Sequence, residues 1–117
     1  MIQITEHGGF STVTLMLIGQ LEFFAQKPFR AAMAQAQISK PKEIILNFVG
    51  VTFIDSAGLE LLMGAQRDLW DPNCTLTFVV ERGQQVHEFF NLVNVGKKFC
   101  ISILEPPDVL SFPTHGL

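Results

Sequence analysis

The spacing of apolar and polar residues predicts strands alternating with helices after an initial pair of strands. The stretch from Thr12 to Ile18 alternates with period two, as a strand does, whereas apolar residues between Phe29 and Ala36 recur at helical spacing. His7-Gly8-Gly9 is typical of a turn between the first two strands. The predicted strands are 2–5, 12–18, 44–49, 75–80 and 99–104, and the predicted helices are 25–39, 57–70, 84–92 and a short segment at 108–112.

The run from Ile44 to Val49 is nearly all apolar. This pattern is typical of a strand covered on both faces at the centre of a parallel sheet. The element order β-β-α-β-α-β-α-β then predicts an α/β fold, in which helices pack against a mixed β-sheet. With 117 residues, the chain is expected to form a single domain over 1–117.

Composition narrows the classes of partner. The hydrophobic fraction of 48% supplies a sizeable core, and the formal charge of -3 offers no basic surface for nucleic acid or an anionic membrane.

The N-terminus has no signal-peptide pattern, and no apolar run reaches the roughly 20 residues that span a bilayer. Cys74 and Cys100 lie in apolar, strand-like segments and are expected to be reduced core residues. We therefore expect a cytoplasmic protein without membrane insertion.

The strongest candidate chemistry lies between the central strand and the second predicted helix. Asp55-Ser56-Ala57-Gly58 directly follows the apolar run and opens a helical pattern. This order places the Ser56 hydroxyl near free backbone N–H groups and the positive end of the helix dipole, where a phosphate would be stabilised. The structural alternative is that Ser56 is only the helix N-cap. Gly58 would allow another backbone segment to approach the junction closely.

Catalytic and metal sites are less well supported. A nucleophilic serine in a Gly-x-Ser-x-Gly turn would require glycine where this chain has Ile54, and a histidine base is also needed. His7, His87 and His115 are far apart, lack metal-ligand spacing and are expected at the surface. We predict no enzymatic activity, no metal and no cofactor.

Phe23 and Phe24 form an aromatic pair beside Glu22, before the first helix. Core packing is the expected role for either one taken singly. Because two adjacent aromatic residues do not easily face one core together, one of them is a candidate for an exposed partner surface.

At this point the chain resembles the STAS domain, the family of anti-sigma factor antagonists and of related domains in anion transporters. The strongest element is Val51 to Leu59, which is similar to the family's Asp-Ser-[Ser/Thr/Ala]-Gly-Leu signature. Gly19-Gln20-Leu21-Glu22 is similar to the family's Gly-x-Leu-Asp, and the segment from Val79 to Val95 also follows the family pattern. The resemblance covers nearly the whole chain.

The resemblance implies a bacterial partner-switching protein that acts in signal transduction and transcription regulation. In such antagonists the serine after the aspartate, Ser56 here, is phosphorylated by an anti-sigma factor that is also a serine protein kinase. The unphosphorylated form binds the kinase, and a phosphatase restores that form. The implied switch and partner surface comprises Glu22, Phe23, Asp55, Ala57, Gly58, Leu59 and Glu60.

Three residues depart from the family pattern. Glu22 replaces the usual Asp, Ala57 replaces a frequent Ser or Thr, and Glu60 stands where a small glycine is frequent. Two alternatives therefore stay open at this point. One is a constant, non-phosphorylated STAS scaffold subunit of a lipid-transport ABC complex, and the other is a small serine hydrolase using Ser56. The oligomeric state is also left open.

Overall fold

A computed structural model describes residues 1–95 and 99–106. The predicted helix at 108–112 lies outside these residues. The elements are β1 (Ile2–Gly8), β2 (Thr12–Leu21), a 3-10 turn (Phe23–Ala25), α1 (Gln26–Gln37), β3 (Glu43–Ile54), α2 (Ser56–Arg67), β4 (Thr75–Glu81), α3 (Gln85–Val93) and β5 (Cys100–Leu104).

The strands form a five-stranded sheet in the order β1-β2-β3-β4-β5. β1 and β2 are antiparallel, whereas each later strand is parallel to its neighbour. A tight turn suffices for the first pair, and a crossover helix is needed for each parallel pair, as the sequence order supplies. The predicted α/β fold with a mixed sheet is confirmed.

One face of the sheet carries the core. Buried side chains alternate with half-exposed ones along the three central strands, and register aligns the buried ones, for example Leu15, Leu46 and Phe78. Ile45 and Val79, on the opposite face, are only half-buried. The expectation that the central strand is covered on both faces was therefore wrong. The apolar run in β3 exists because its outward residues still contact neighbouring strands.

An aromatic cluster joins α3 to the sheet. The ring of Phe90 lies 5.6 Å from that of Phe48 on β3, edge to face, and Phe48 lies 5.4 Å from Phe78 on β4. All three side chains are fully buried or nearly so. This cluster fixes α3 against the sheet, so that the start of the helix lies beside the end of β3.

Several elements end at different residues from those predicted. β1 extends to Gly8, through most of the predicted turn, because it stays paired with β2, and β2 extends to Leu21, where it pairs with β3. β3 extends to Ile54 because it keeps its pairing with β2 over its whole length. α2 ends at Arg67 instead of Trp70. The backbone N–H of Trp70 instead donates to the buried side-chain oxygen of Gln37, at 2.8 Å, which ties the following loop to α1.

Two predictions of burial or exposure were wrong. Cys74 is buried as expected, but Cys100 is exposed. Cys100 lies on the last strand of the sheet and pairs with Thr77, whose side chain is on the less covered face. His87 is buried, and its Nδ1 accepts a hydrogen bond from the backbone N–H of Gly83 at 3.0 Å. His7 is exposed, and His115 lies outside the described residues.

Candidate functional site

The candidate site lies where β2 and β3 end side by side. Leu21 on β2 pairs in register with Ile54 on β3. Glu22 and Asp55 directly follow these two residues, and both are half-buried. The parallel register therefore brings two carboxylate-bearing residues, 33 positions apart in sequence, to the same edge of the sheet.

The N-terminus of α2 is capped by Asp55. Its side chain accepts a hydrogen bond from the N–H of Gly58 at 3.0 Å, and its backbone carbonyl accepts from the N–H of Leu59 at 2.9 Å. The structural alternative for Ser56 was therefore wrong: Ser56 is the first helical residue, not the cap. Its side chain is exposed, and capping does not account for its hydroxyl.

Gly58 sets how closely the helix approaches the strand. It is buried, and a Cβ added to it would overlap the carbonyl oxygen of Leu21 and crowd the side chain of Ile54. Only glycine permits this approach. Leu59, the next residue, packs partly buried against the core. The first turn of α2 is thus held against the ends of both strands, while Ser56 faces solvent.

The aromatic pair lies on the 3-10 turn that follows Glu22. Phe23 is 64% exposed and Phe24 is 80% exposed, and their rings meet edge to face with centroids 5.4 Å apart. The expectation that either ring packs in the core was wrong. Instead the core takes Ala25 from this turn. Phe24 was not among the predicted surface residues, and only the packing of its turn shows that both rings face outward.

A cleft of about 470 Å³ lies between parts of α1 and α2, beside this turn. The predicted surface residues Phe23, Ala57 and Glu60 line its end nearest Ser56. Glu60 is exposed and Ala57 is half-buried. Arg30 and Trp70 line other parts of the wall. The cleft thus combines apolar surface with charged groups, and Ala57, the residue after Ser56, forms part of its wall.

The sequence pattern also missed two side chains that contact the last part of β3. The side chains of Gln84 and Gln85, at the start of α3, hydrogen-bond to backbone groups between Phe48 and Ile54. Glutamines at a helix start have no distinctive pattern, so only the packing of α3 shows their role.

Comparison with known families identifies the fold. The model of the STAS domain family matches residues 1–106. The chain belongs to the STAS family. A search of curated proteins found no match. Two segments carry the resemblance in sequence. In this STAS domain, residues 19–22 form the end of β2, and residues 51–59 form the end of β3 and the first turn of α2.

Solved structures with this fold include anti-sigma factor antagonists. One from Mycobacterium paratuberculosis has a TM-score of 0.78 at 16% identity, over 98% of this chain and 93% of that one. The anti-sigma factor antagonist SpoIIAA in its unphosphorylated form has a TM-score of 0.68 at 21% identity, over 98% of each chain. The Bacillus cell fate determinant SpoIIAA in its phosphorylated form has a TM-score of 0.59 at 20% identity, over 97% and 99%. At these identities the likeness shows the STAS fold.

Within 1–95 and 99–106, no cluster of three or more His, Cys, Asp or Glu side chains could hold a metal ion. In the same part of the chain, no helix is long and apolar enough to cross a membrane.

Proposed function

We propose that this STAS domain is a partner-switching module of the anti-sigma factor antagonist type, with Ser56 as its phosphoacceptor. It acts in the bacterial cytoplasm by binding an anti-sigma factor that is also a serine kinase, and it catalyses no reaction itself. The observation that carries this proposal is the exposed Ser56 at the first position of α2, where the cap is supplied by Asp55 and the hydroxyl is left to react.

The charges around Ser56 explain how a phosphate would act as a switch. A phosphoserine adds about -1.5 to -2 charges. The backbone N–H groups at the start of α2 favour that charge, so the helix and fold tolerate it. Asp55 directly precedes Ser56, and Glu22 follows the strand end that pairs with Ile54, so a phosphate adds to negative charge already present at this end of the sheet. A partner that binds the unphosphorylated surface would have to desolvate the added charge and accommodate its bulk, so it would dissociate without a change of fold.

The binding surface for the partner is proposed to extend from Ser56 to the aromatic turn and the cleft. Phe23 and Phe24 present exposed aromatic area of the kind that is enriched at the centre of protein interfaces. The remaining predicted surface residues differ in their role. Gly58 and Leu59 pack inward, against the strand ends and the core, whereas Ala57 and Glu60 line the cleft and are available for contact.

The test combines phosphorylation with binding. The purified domain is incubated with ATP and a serine kinase of the histidine-kinase-like class that is encoded beside its gene or co-purifies with it. Mass spectrometry then locates any phosphate, and titration measures binding of the same kinase by the wild type, Ser56→Ala and Ser56→Asp. We expect phosphate on Ser56, none in Ser56→Ala, and binding that is retained by Ser56→Ala but weakened at least tenfold by Ser56→Asp.

Ser102→Ala and Ser102→Asp are matched controls. Ser102 is exposed on β5, two strands away from β3, so its substitution should change neither phosphorylation nor binding. Phosphate on another residue, or equal binding by all Ser56 variants, would reject the switch. Binding without phosphorylation by an active kinase would favour the constant scaffold instead. Labelling of Ser56 by a fluorophosphonate probe would favour the hydrolase.

A further inference from the structure

β3 continues past the point where its pairing with β4 ends. Its pairing with β4 ends at Asn47 and Val79, whereas its pairing with β2 continues to Ile54. Residues 48–54 therefore lack a β4 neighbour on one side. Backbone N–H and C=O groups at such a position need other partners. The start of α3, which the aromatic cluster holds against the sheet, supplies them.

Gln85 replaces the missing strand at the last residue of β3. Its Oε1 accepts a hydrogen bond from the backbone N–H of Ile54 at 2.9 Å, and its Nε2 donates to the carbonyl of Ile54 at 3.0 Å. A primary amide offers the same donor and acceptor as a peptide group, so Gln85 satisfies both backbone groups of one residue, as a neighbouring strand would.

Gln84 makes a different set of contacts earlier in β3. Its Nε2, which carries two hydrogens, lies within hydrogen-bonding distance of three carbonyl oxygens, those of Val49 and Val51 at 3.2 and 2.9 Å and that of Phe48. Its Oε1 accepts from the N–H of Glu81 at 3.0 Å, which also ties it to its own turn. Gln84 therefore joins the turn after β4 to the middle of β3, and Gln85 alone reaches the strand end.

We propose that Gln85 is a positioning residue for phosphorylation of Ser56. This inference rests on the proposed function of Ser56. Ile54 lies two residues before Ser56 and is held on one side by register with Leu21 and on the other by the amide of Gln85. Asp55 then fixes the first turn of α2 from the residue between them. Loss of the amide would free one side of the backbone that sets where the Ser56 hydroxyl lies.

The side chain of Gln85 is well suited to a test, because it is exposed and contributes little to the core. We expect Gln85→Ala to fold and to lower kcat for phosphorylation of Ser56 by about tenfold to hundredfold, since small misplacements of a reacting group have effects of that size. KM for the domain should change little, because the proposed partner surface is intact. Gln35→Ala, which removes an exposed glutamine from α1, should leave kcat and KM unchanged.

Hydrogen exchange gives a second readout that needs no kinase. Without Oε1 as acceptor, the Ile54 amide should exchange about tenfold faster in Gln85→Ala, and the core amide of Leu46 should exchange as in the wild type. Unchanged kcat, or a rise in KM alone, would overturn the positioning role. An unchanged Ile54 amide would overturn the hydrogen-bonding basis for it. A wild type that an active kinase leaves unphosphorylated would reject the proposed function, and the Ile54 amide would still show whether Gln85 holds the strand end.

Discussion

The carboxylate of Asp55 accepts a hydrogen bond from the backbone N–H of Gly58, with oxygen and nitrogen 3.0 Å apart. The residue before Ser56 and the second residue after it are thereby joined across the first turn of α2. Asp55 consequently has two separable properties at this site: an oxygen that caps the helix, and a negative charge beside the proposed phosphate.

Substitution of Asp55 should separate those two properties. Asp55→Ala removes the capping oxygen and should lower the free energy of unfolding by about 1 kcal/mol. Asp55→Asn keeps a capping oxygen and should unfold within about 0.5 kcal/mol of the wild type, since Asn and Asp cap about equally well. Urea unfolding measures both. Equal losses in the two variants would show that charge, and not the cap, stabilises this turn.

The glycines of α2 should respond in opposite directions to alanine. Gly58→Ala should destabilise the domain by about 1–3 kcal/mol, because its Cβ would overlap the carbonyl oxygen of Leu21 in a packed interior. In Gly64→Ala the new Cβ meets only the flexible end of Arg67, so the gain in helix propensity should stabilise the domain by up to about 1 kcal/mol. Thermal unfolding compares the two. Stabilisation by both substitutions would contradict the close packing of α2 on β2.

Phe24 should contribute to partner binding and not to stability. Phe24→Ala removes a side chain that is 80% exposed, so unfolding should change by less than about 0.5 kcal/mol. Binding of the cognate kinase should weaken about tenfold or more, because aromatic residues at an interface often contribute over 1 kcal/mol. Phe10→Ala is the matched control, since Phe10 is also exposed but lies in the β1–β2 turn, at the opposite end of β2. Equal weakening by both variants would refute a local contact.

Glu60 should reduce the rate or extent of phosphorylation slightly. It lies four residues after Ser56, on the same face of α2, where like charges repel by a few tenths of a kcal/mol. Glu60→Gln should therefore raise the initial rate of Ser56 phosphorylation by about twofold or less, whereas Glu88→Gln on α3 should not. Phosphate-affinity gels of samples taken over time measure that rate. An increase well above twofold would mean that Glu60 obstructs the kinase directly.

The two cysteines should differ in reactivity. Burial raises the pKa of the Cys74 thiol, and the negative charge of Asp71 raises it further. Cys100 is exposed and should react first with a thiol reagent, while Cys74 should react in the Cys100→Ser variant only on unfolding.

Because the folded pKa of Cys74 lies above the unfolded value of about 8.5, its contribution to stability is present below that pH and is lost as pH rises through the folded pKa. Unfolding of Cys100→Ser and of Cys74→Ala/Cys100→Ser at pH 7 and 10 measures this: equal pH dependence would contradict it.

The sequence by itself determined the elements and their order. Period-two and helical patterns are local properties, so strands and helices were placed within a few residues, and the Asp-Ser-x-Gly junction identified the family and the candidate site. Gly58 also indicated that another backbone segment approaches closely, although not that this segment is the end of β2 at Leu21. Each of these inferences depends on residues close together in the chain.

The tertiary structure decided what depends on residues far apart. Register between β2 and β3 brings Glu22 beside Asp55, and the packing of α3 brings Gln85 to Ile54. The outward orientation of Phe24 follows from Ala25 taking the core position on its turn. Burial and pairing across the sheet set these outcomes, and no local periodicity encodes them.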